Sequence, residues 1–182
     1  MKPNSTTQLE PFDEKKGEWR VVIETPKGSH NKYKFDEELA SYQLHGVLPE
    51  GMSFPYDFGF LPSTVAEDGD PLDVLLLMDQ PAFCGCLVPS RLIGVIEAEQ
   101  TETDGKSARN DRLVAVPTTS RVYSDCASLE DLNPHRLKEI EEFFVSYNRI
   151  NGKQFKVLNV SGPERAEKLA RDGMKQRTKS KK

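Results

Sequence analysis

The sequence predicts an α+β fold that is mainly β: a closed or nearly closed β-barrel with α-helices packed outside it. Short strand-like segments recur through most of the chain, separated by turns rich in Gly, Pro and Asn. Two well-marked helices come only late, so strands and helices segregate rather than alternate. The chain has 182 residues, enough for one hydrophobic core, and shows neither an internal repeat nor a long linker.

In chain order, EWRVVIE (18–24) alternates, placing Trp19, Val21 and Ile23 on one face and Glu24 on the other. KGSHN (27–31) is turn material, and KYKFD (32–36) alternates again with Tyr33 and Phe35 inward. These two segments are expected to pair antiparallel. GMSFPYDFGF (51–60) holds too much Gly, Pro and aromatic character for a helix and reads as a packed loop with short extended pieces. VLLLM (74–78), RLIGVIEA (91–98), RLVAVP (112–117) and KQFKVLNV (153–160) are short strands. Asn133-Pro134 supplies an N-cap and a first-turn proline for a helix over 134–148, whose apolar stripe is Leu137, Ile140, Phe144 and Tyr147. Ser161 and Glu164 form a capping-box pattern opening a second helix, from about 163 to 177. The expected organisation is a barrel domain over 1–163, with the first helix embedded in it, and a C-terminal helix with a basic tail over 164–182.

Composition excludes several classes. A charged fraction of 30% with 36% hydrophobic residues describes a folded soluble globule. No apolar run approaches the ~20 residues that span a bilayer, and MKPNSTTQLEPFDEKKGEW lacks the apolar core of a secretory signal. Cys84, Cys86 and Cys126 are odd in number and match no zinc spacing, which points to a reduced, cytoplasmic setting. Residues 164–182 carry eight Lys/Arg against Glu164, Glu167 and Asp172, hence +5, leaving −9 on residues 1–163 of a chain whose net charge is −4. No aromatics are interleaved with those basic residues, so a solvated tail is expected rather than a nucleic-acid arm.

The chemistry concentrates in EDGDPLDVLLLM (67–78), four acids in seven residues against a buried run. Carboxylates that close raise one another's pKa unless they are solvated or share a cation. In an extended D-x-D, Asp68 and Asp70 point to the same side, Gly69 permits a tight turn, and Asp73 is the last polar residue before burial. Three such acids offer oxygen ligands to a hard cation such as Mg²⁺. An EF-hand is excluded, since Leu72 and Asp73 fall where that loop needs a ligand and a glycine. From this stretch alone, a metal cradle and a solvated acidic turn stand equal. Lys32 and Lys34 on one strand face, and Arg112 at the start of another strand, add cations suited to phosphate. Tyr147 ends the helical stripe, half core and half wet tip. Acids on one side and cations on the other fit a metal-complexed phosphate.

VVIETPKGSHNKYKFD, MSFPYDFGFLPST, EDGDPLDVL, DRLVAVP and FFVSYN…GKQFKVLNVSGP, in this order and spacing over about 18–162, resemble the soluble family I inorganic pyrophosphatases. D-G-D-P-L-D is the most specific of these motifs. The resemblance implies an OB-like five-stranded β-barrel flanked by helices, several Mg²⁺ ions (or Mn²⁺), and hydrolysis of pyrophosphate to two phosphates. It also implies a cytoplasmic homo-oligomer, often a hexamer in bacterial members. Carried over by position, Asp68 and Asp73 fall on metal ligands and Asp70 on the carboxylate that handles the attacking water. Glu24 falls on an acid that holds metal through water. Lys32 and Tyr147 fall on phosphate contacts, and Arg112 stands at a position usually occupied by lysine.

Departures from the family pattern gather at the same site. Lys34 replaces a glutamate, and Gly46 stands at the position of a phosphate-binding arginine, with His45 beside it. Phe54 and Phe58 replace tyrosines. Asn148 replaces a lysine, with Arg149 adjacent. Asn110 replaces a metal-ligand aspartate. Asp111 would serve in its place only if a bulge shifted the register by one; for the other missing acid, Glu99, Glu102 and Asp104 are the candidates. Three functions follow as expectations. The first is an Mg²⁺-dependent pyrophosphatase with an altered substrate shell. The second is a related hydrolase of nucleotides, with Phe54 and Phe58 as an apolar shelf beside Gly46. The third is a non-catalytic member that binds metal or phosphate.

Overall fold

The computed structural model describes residues 9–180, with side chains described through Arg177. The first eight residues and, of the basic tail, the Lys179 side chain and residues 181–182 lie outside the described residues. Ten strands and two helices follow in order: β1 (Phe12–Asp13), β2 (Glu18–Thr25), β3 (Asn31–Asp36), β4 (Ser41–Val47), β5 (Asp57–Phe60), β6 (Asp73–Leu76), β7 (Leu87–Thr101), β8 (Ser107–Arg109), β9 (Arg112–Pro117), α1 (Pro134–Ile150), β10 (Gln154–Ser161) and α2 (Pro163–Ser180).

Five strands close a ring. β2 pairs with β5, β5 with β6, β6 with β9, β9 with β7, and β7 returns to β2 through the register Trp19↔Ser90 to Val22↔Leu87. β6 and β9 run parallel while the other pairings of the ring are antiparallel. This is the OB-like barrel the sequence resemblance implied. β7, at 15 residues, is long enough to serve β2 at its start, β9 in its middle, and β8 and β10 at its end.

The unbroken apolar run of β6 follows from burial on both faces. Val74 and Leu76 join Trp19, Val21, Ile23, Leu113 and Ala115 in one cluster, which α2 completes with Ala166 and Ala170. Leu75 and Leu77 join Ile93, Ile96, Val114 and Val116 in the other, covered by Ile140 and Phe144 of α1. The Trp19 indole N–H also donates to Glu167 Oε1 at 2.6 Å, tying β2 to α2. β2 meets β5 closely because residue 59 is glycine: a Cβ there would stand 1.9 Å from the Val22 carbonyl oxygen.

Two local expectations need correction. β3 pairs with β4, a strand the sequence reading did not mark, rather than with β2. Side chains make the link to β2 instead: Tyr33 N–H donates to Thr25 Oγ1 at 3.0 Å, and Phe35 N–H donates to Glu24 Oε1 at 2.7 Å. Residues 57–60, one of the short extended pieces expected within 51–60, form the barrel strand β5. Ser161 ends β10, and its hydroxyl donates to Glu97 Oε1 at 2.9 Å, so it is engaged outside the expected capping box. The cap of α1 is as expected, with Asn133 Oδ1 accepting from His135 N–H at 2.9 Å and Pro134 in the first turn. Among the described residues no helix is long and apolar enough to cross a membrane.

Candidate active site

The acidic stretch forms a tight turn rather than an extended pair. Gly69 adopts φ +90°, a conformation that favours glycine. Ala66 N–H donates to the Asp70 carbonyl at 2.8 Å, and Asp70 N–H donates to Asp68 Oδ1 at 3.1 Å. Thr64 anchors the turn: its hydroxyl donates to the Leu61 carbonyl and accepts from Leu72 N–H. Both acids nevertheless face one cleft of about 750 Å³.

Every residue singled out by position lines that cleft. Glu24 comes from β2, Lys32 and Lys34 from β3, and Asp68 and Asp70 from the turn. Asp73 and Arg112 open the parallel pair β6 and β9, and Tyr147 comes from α1. A bulge between Lys32 and Tyr33 in the β3–β4 ladder accompanies the two lysines on this side. The Lys32 ammonium lies 5.5 Å from the centre of the Tyr147 ring.

The carboxylates are met by cations of the chain. Lys34 Nζ lies 2.7 Å from Asp70 Oδ2, and Arg112 Nη1 lies 2.5 Å from Asp73 Oδ2. Arg112 is 6% exposed and sits among the Phe58, Phe144 and Phe155 rings at 5.4–5.7 Å. From it a polar chain follows one wall. Arg112 donates to Asn110 Oδ1, Asn110 Nδ2 donates to Gln100 Oε1 at 3.1 Å, and Gln100 Nε2 donates to Glu102 Oε1 at 2.6 Å. Glu102 in turn pairs with Lys153 at 2.7 Å. On the rim, Arg177 of α2 meets Glu37 at 3.3 Å.

Burial and like charge shape the acids. Burial pushes Glu24 up to about 7 against the Phe35 amide that would lower it, and the Asp73 charge adds to the rise. Burial likewise raises Asp68, opposed by the Asp70 amide and assisted by the charges of Asp73 and Asp70. For Lys34, burial acts downward, but the Asp70 hydrogen bond and charge outweigh it and the pKa rises. His45 is lowered by burial and by Lys32 and Lys34.

Of the acids considered for the rest of the site, only Glu102 lines the cleft. Asp104 pairs with Lys106 outside it, and Glu99 is not in its lining. Asp111 is turned away, accepting Ala98 N–H at 2.9 Å and pairing with Arg109 at 2.8 Å, so no register shift brings it in. Asn148 is buried, donating to the Phe144 carbonyl at 2.8 Å, and exposed Arg149 does not take its place. Lys153 and Arg177 are the further cations of the cleft, and neither was marked in the sequence. Gly152, which turns the chain back after α1, is the one local hint for Lys153; Arg177 has none. Phe54 and Phe58 line the cleft but are 2% and 4% exposed, tilted against the aromatic cluster, so little of the expected apolar shelf is open. At Gly46 no atom lies within 4 Å of where a Cβ would stand, which leaves the cleft open there.

Fold and site together define an OB-like barrel protein with a cleft lined by both carboxylates and cations. The family model described as inorganic pyrophosphatase matches residues 21–178. The inorganic pyrophosphatase of Nostoc sp. is 39% identical over 165 residues, covering 91% of this chain and 95% of that protein. That of Synechocystis sp. is 43% identical over 148 residues, covering 81% and 85%. The crystal structure of inorganic pyrophosphatase from Thermus thermophilus superposes with a TM-score of 0.87 at 30% identity, covering 96% of this chain and 99% of that one. The chain belongs to the soluble family I inorganic pyrophosphatases.

Proposed function

We propose that this chain hydrolyses inorganic pyrophosphate to two phosphates by metal-activated water, in an active site whose ligand set departs from the family pattern. The observation that carries the reading is the convergence of Asp68, Asp70, Asp73 and Glu24 with Lys32, Arg112 and Tyr147 on one cleft. The names of the relatives support the substrate.

The donor set supports Mg²⁺ (or Mn²⁺) on the Asp68–Asp70–Asp73 side. It is all oxygen, Asp68 has no bonded cation among the described residues, and Glu24 is a buried carboxylate that a cation would return to its charged form. On the Asn110 side the amide oxygens of Asn110 and Gln100 are engaged by Arg112 and Asn110, and the one carboxylate there, Glu102, is paired with Lys153 at 2.7 Å. Among the described residues no three acidic, histidine or cysteine groups form a ready-made cage, and Lys34 holds one oxygen of Asp70, Oδ2, against a cation. When bound, a divalent cation offsets the charge of the polyanion and lowers the pKa of a water.

The chain's own residues do the rest. Asp70 accepts the proton of the attacking water as the new P–O bond forms and the bridging oxygen departs with the second phosphate. Lys32, Arg112 and Lys153 bind phosphoryl oxygens and offset charge gathered there in the transition state. Tyr147 contributes its hydroxyl, and Glu24 orients water beside the metal. The protein is further read as cytoplasmic and as a homo-oligomer, a hexamer by family resemblance; sedimentation of the purified chain tests the latter. Phosphate release from pyrophosphate with Mg²⁺ or Mn²⁺, abolished by chelator, is the expected result. No release with either metal would refute the reading.

The Gln100–Asn110 amide pair favours a second reading, a non-catalytic member that binds metal or phosphate. Tight pyrophosphate binding in a calorimeter without turnover would select it.

A further inference from the structure

Lys34 occupies one carboxylate of the group a metal would use. Its Nζ lies 2.7 Å from Asp70 Oδ2, and it also feels the charges of Glu24 and Asp73. Its side chain is 43% exposed and that of Asp70 57%, so water reaches both partners and a stronger ligand can separate them. Along the Asn110 wall the two amides engage each other and Arg112, and Glu102 pairs with Lys153, so the acids of the 68–73 turn are the group a metal would use. The cleft lining holds six carboxylates and five Lys/Arg side chains, a formal charge of −1, so most of its negative charge is already compensated by the chain.

We propose that Lys34 is a built-in competitor for the divalent cation at Asp70. Its ammonium holds Asp70 while no metal is bound, yields the carboxylate when a cation arrives, and is then free to meet the anion that accompanies the metal. This last step rests on the pyrophosphatase reading; the competition does not. Replacing lysine with glutamate changes the local charge by two units, the charge of one divalent ion.

The test is Mn²⁺ binding without substrate, read from the electron paramagnetic resonance of free Mn²⁺, on wild type, Lys34→Gln and Lys34→Glu. Lys34→Gln is expected to bind Mn²⁺ roughly tenfold tighter, the scale of removing one charge at hydrogen-bond distance from a half-exposed ligand. Lys34→Glu is expected to hold one more Mn²⁺ per chain. Far-ultraviolet circular dichroism and Tm establish that both variants are folded. Identical isotherms for three folded proteins, or weaker binding by the variants, would overturn the proposal. Phosphate release is assayed separately. Its absence alongside shifted isotherms would defeat the pyrophosphatase reading and leave the competition standing, whereas release with unshifted isotherms would do the reverse.

Discussion

Glu97 of β7 ties α2, β8 and β10 together, and its removal gives a measurable prediction. Arg165 of α2 reaches it at 3.1 Å, Arg109 of β8 at 2.8 Å, and the Ser161 hydroxyl at 2.9 Å. Hydrogen bonding from Arg165, against some cost of burial, together with Arg109 and Ser161, lowers its pKa from 4.5 to about 2. At ~1.4 kcal/mol for each unit, the folded state favours the charged form by up to ~3 kcal/mol. The side chains of Arg165 and Arg109 are 39% and 29% exposed, and solvent screening reduces this to about 2 kcal/mol. Because the folded pKa is depressed, this stability is complete above the unfolded value of 4.5 and is lost as pH falls towards 2. Glu97→Gln keeps the shape and removes the charge. It is expected to cost about 2 kcal/mol at pH 7, or ~4–8 °C in Tm for a chain of this size. Urea unfolding of both proteins at pH 7, 5 and 3 should show the gap constant between the first two and less than half as large at the third. Equal midpoints at pH 7, or a gap that widens with acid, would refute the reasoning.

Asp70→Asn should abolish phosphate release while leaving Tm within about 1 °C, because that carboxylate is exposed and its ion pair contributes little to stability; turnover like that of wild type would remove it from the role of base. Gly59→Ala should destabilise by ~3 kcal/mol or more, since the added methyl collides with the Val22 carbonyl across the β2–β5 pairing, and an unchanged unfolding midpoint would contradict that. Leu75→Ala, at a fully buried position, should cost ~3 kcal/mol by the same measurement, with the far-ultraviolet spectrum retained.

Much of this protein was legible along the chain because the signals are local. Alternation in 18–24 marked Glu24 as facing away from Trp19, Val21 and Ile23, and the cap of α1 announced itself in two residues. D-G-D-P-L-D carried its own turn chemistry, so Asp68, Asp70 and Asp73 were found together before their geometry was known. Periodicity and capping depend on neighbours within one turn or one pleat, and a sequence states those neighbours outright.

Other features depend on pairings between distant segments, which local patterns do not encode. β3 takes β4 as its partner because the Glu24 and Thr25 side chains already occupy the N–H groups it would offer β2. The fate of the acids after Glu97 is decided in the connections that flank β8: Asp111, between β8 and β9, goes to Arg109, while Glu102, just after β7, goes to the cleft. Lys153 and Arg177 enter the site only because α1 turns back into β10 and α2 packs across the barrel. Pairing of β2 with β5 and of β5 with β6, and the seating of β3 on the Glu24 and Thr25 side chains, bring Glu24, Lys34 and the 68–70 turn to one cleft, so its charge balance belongs to the assembled fold and not to any one segment.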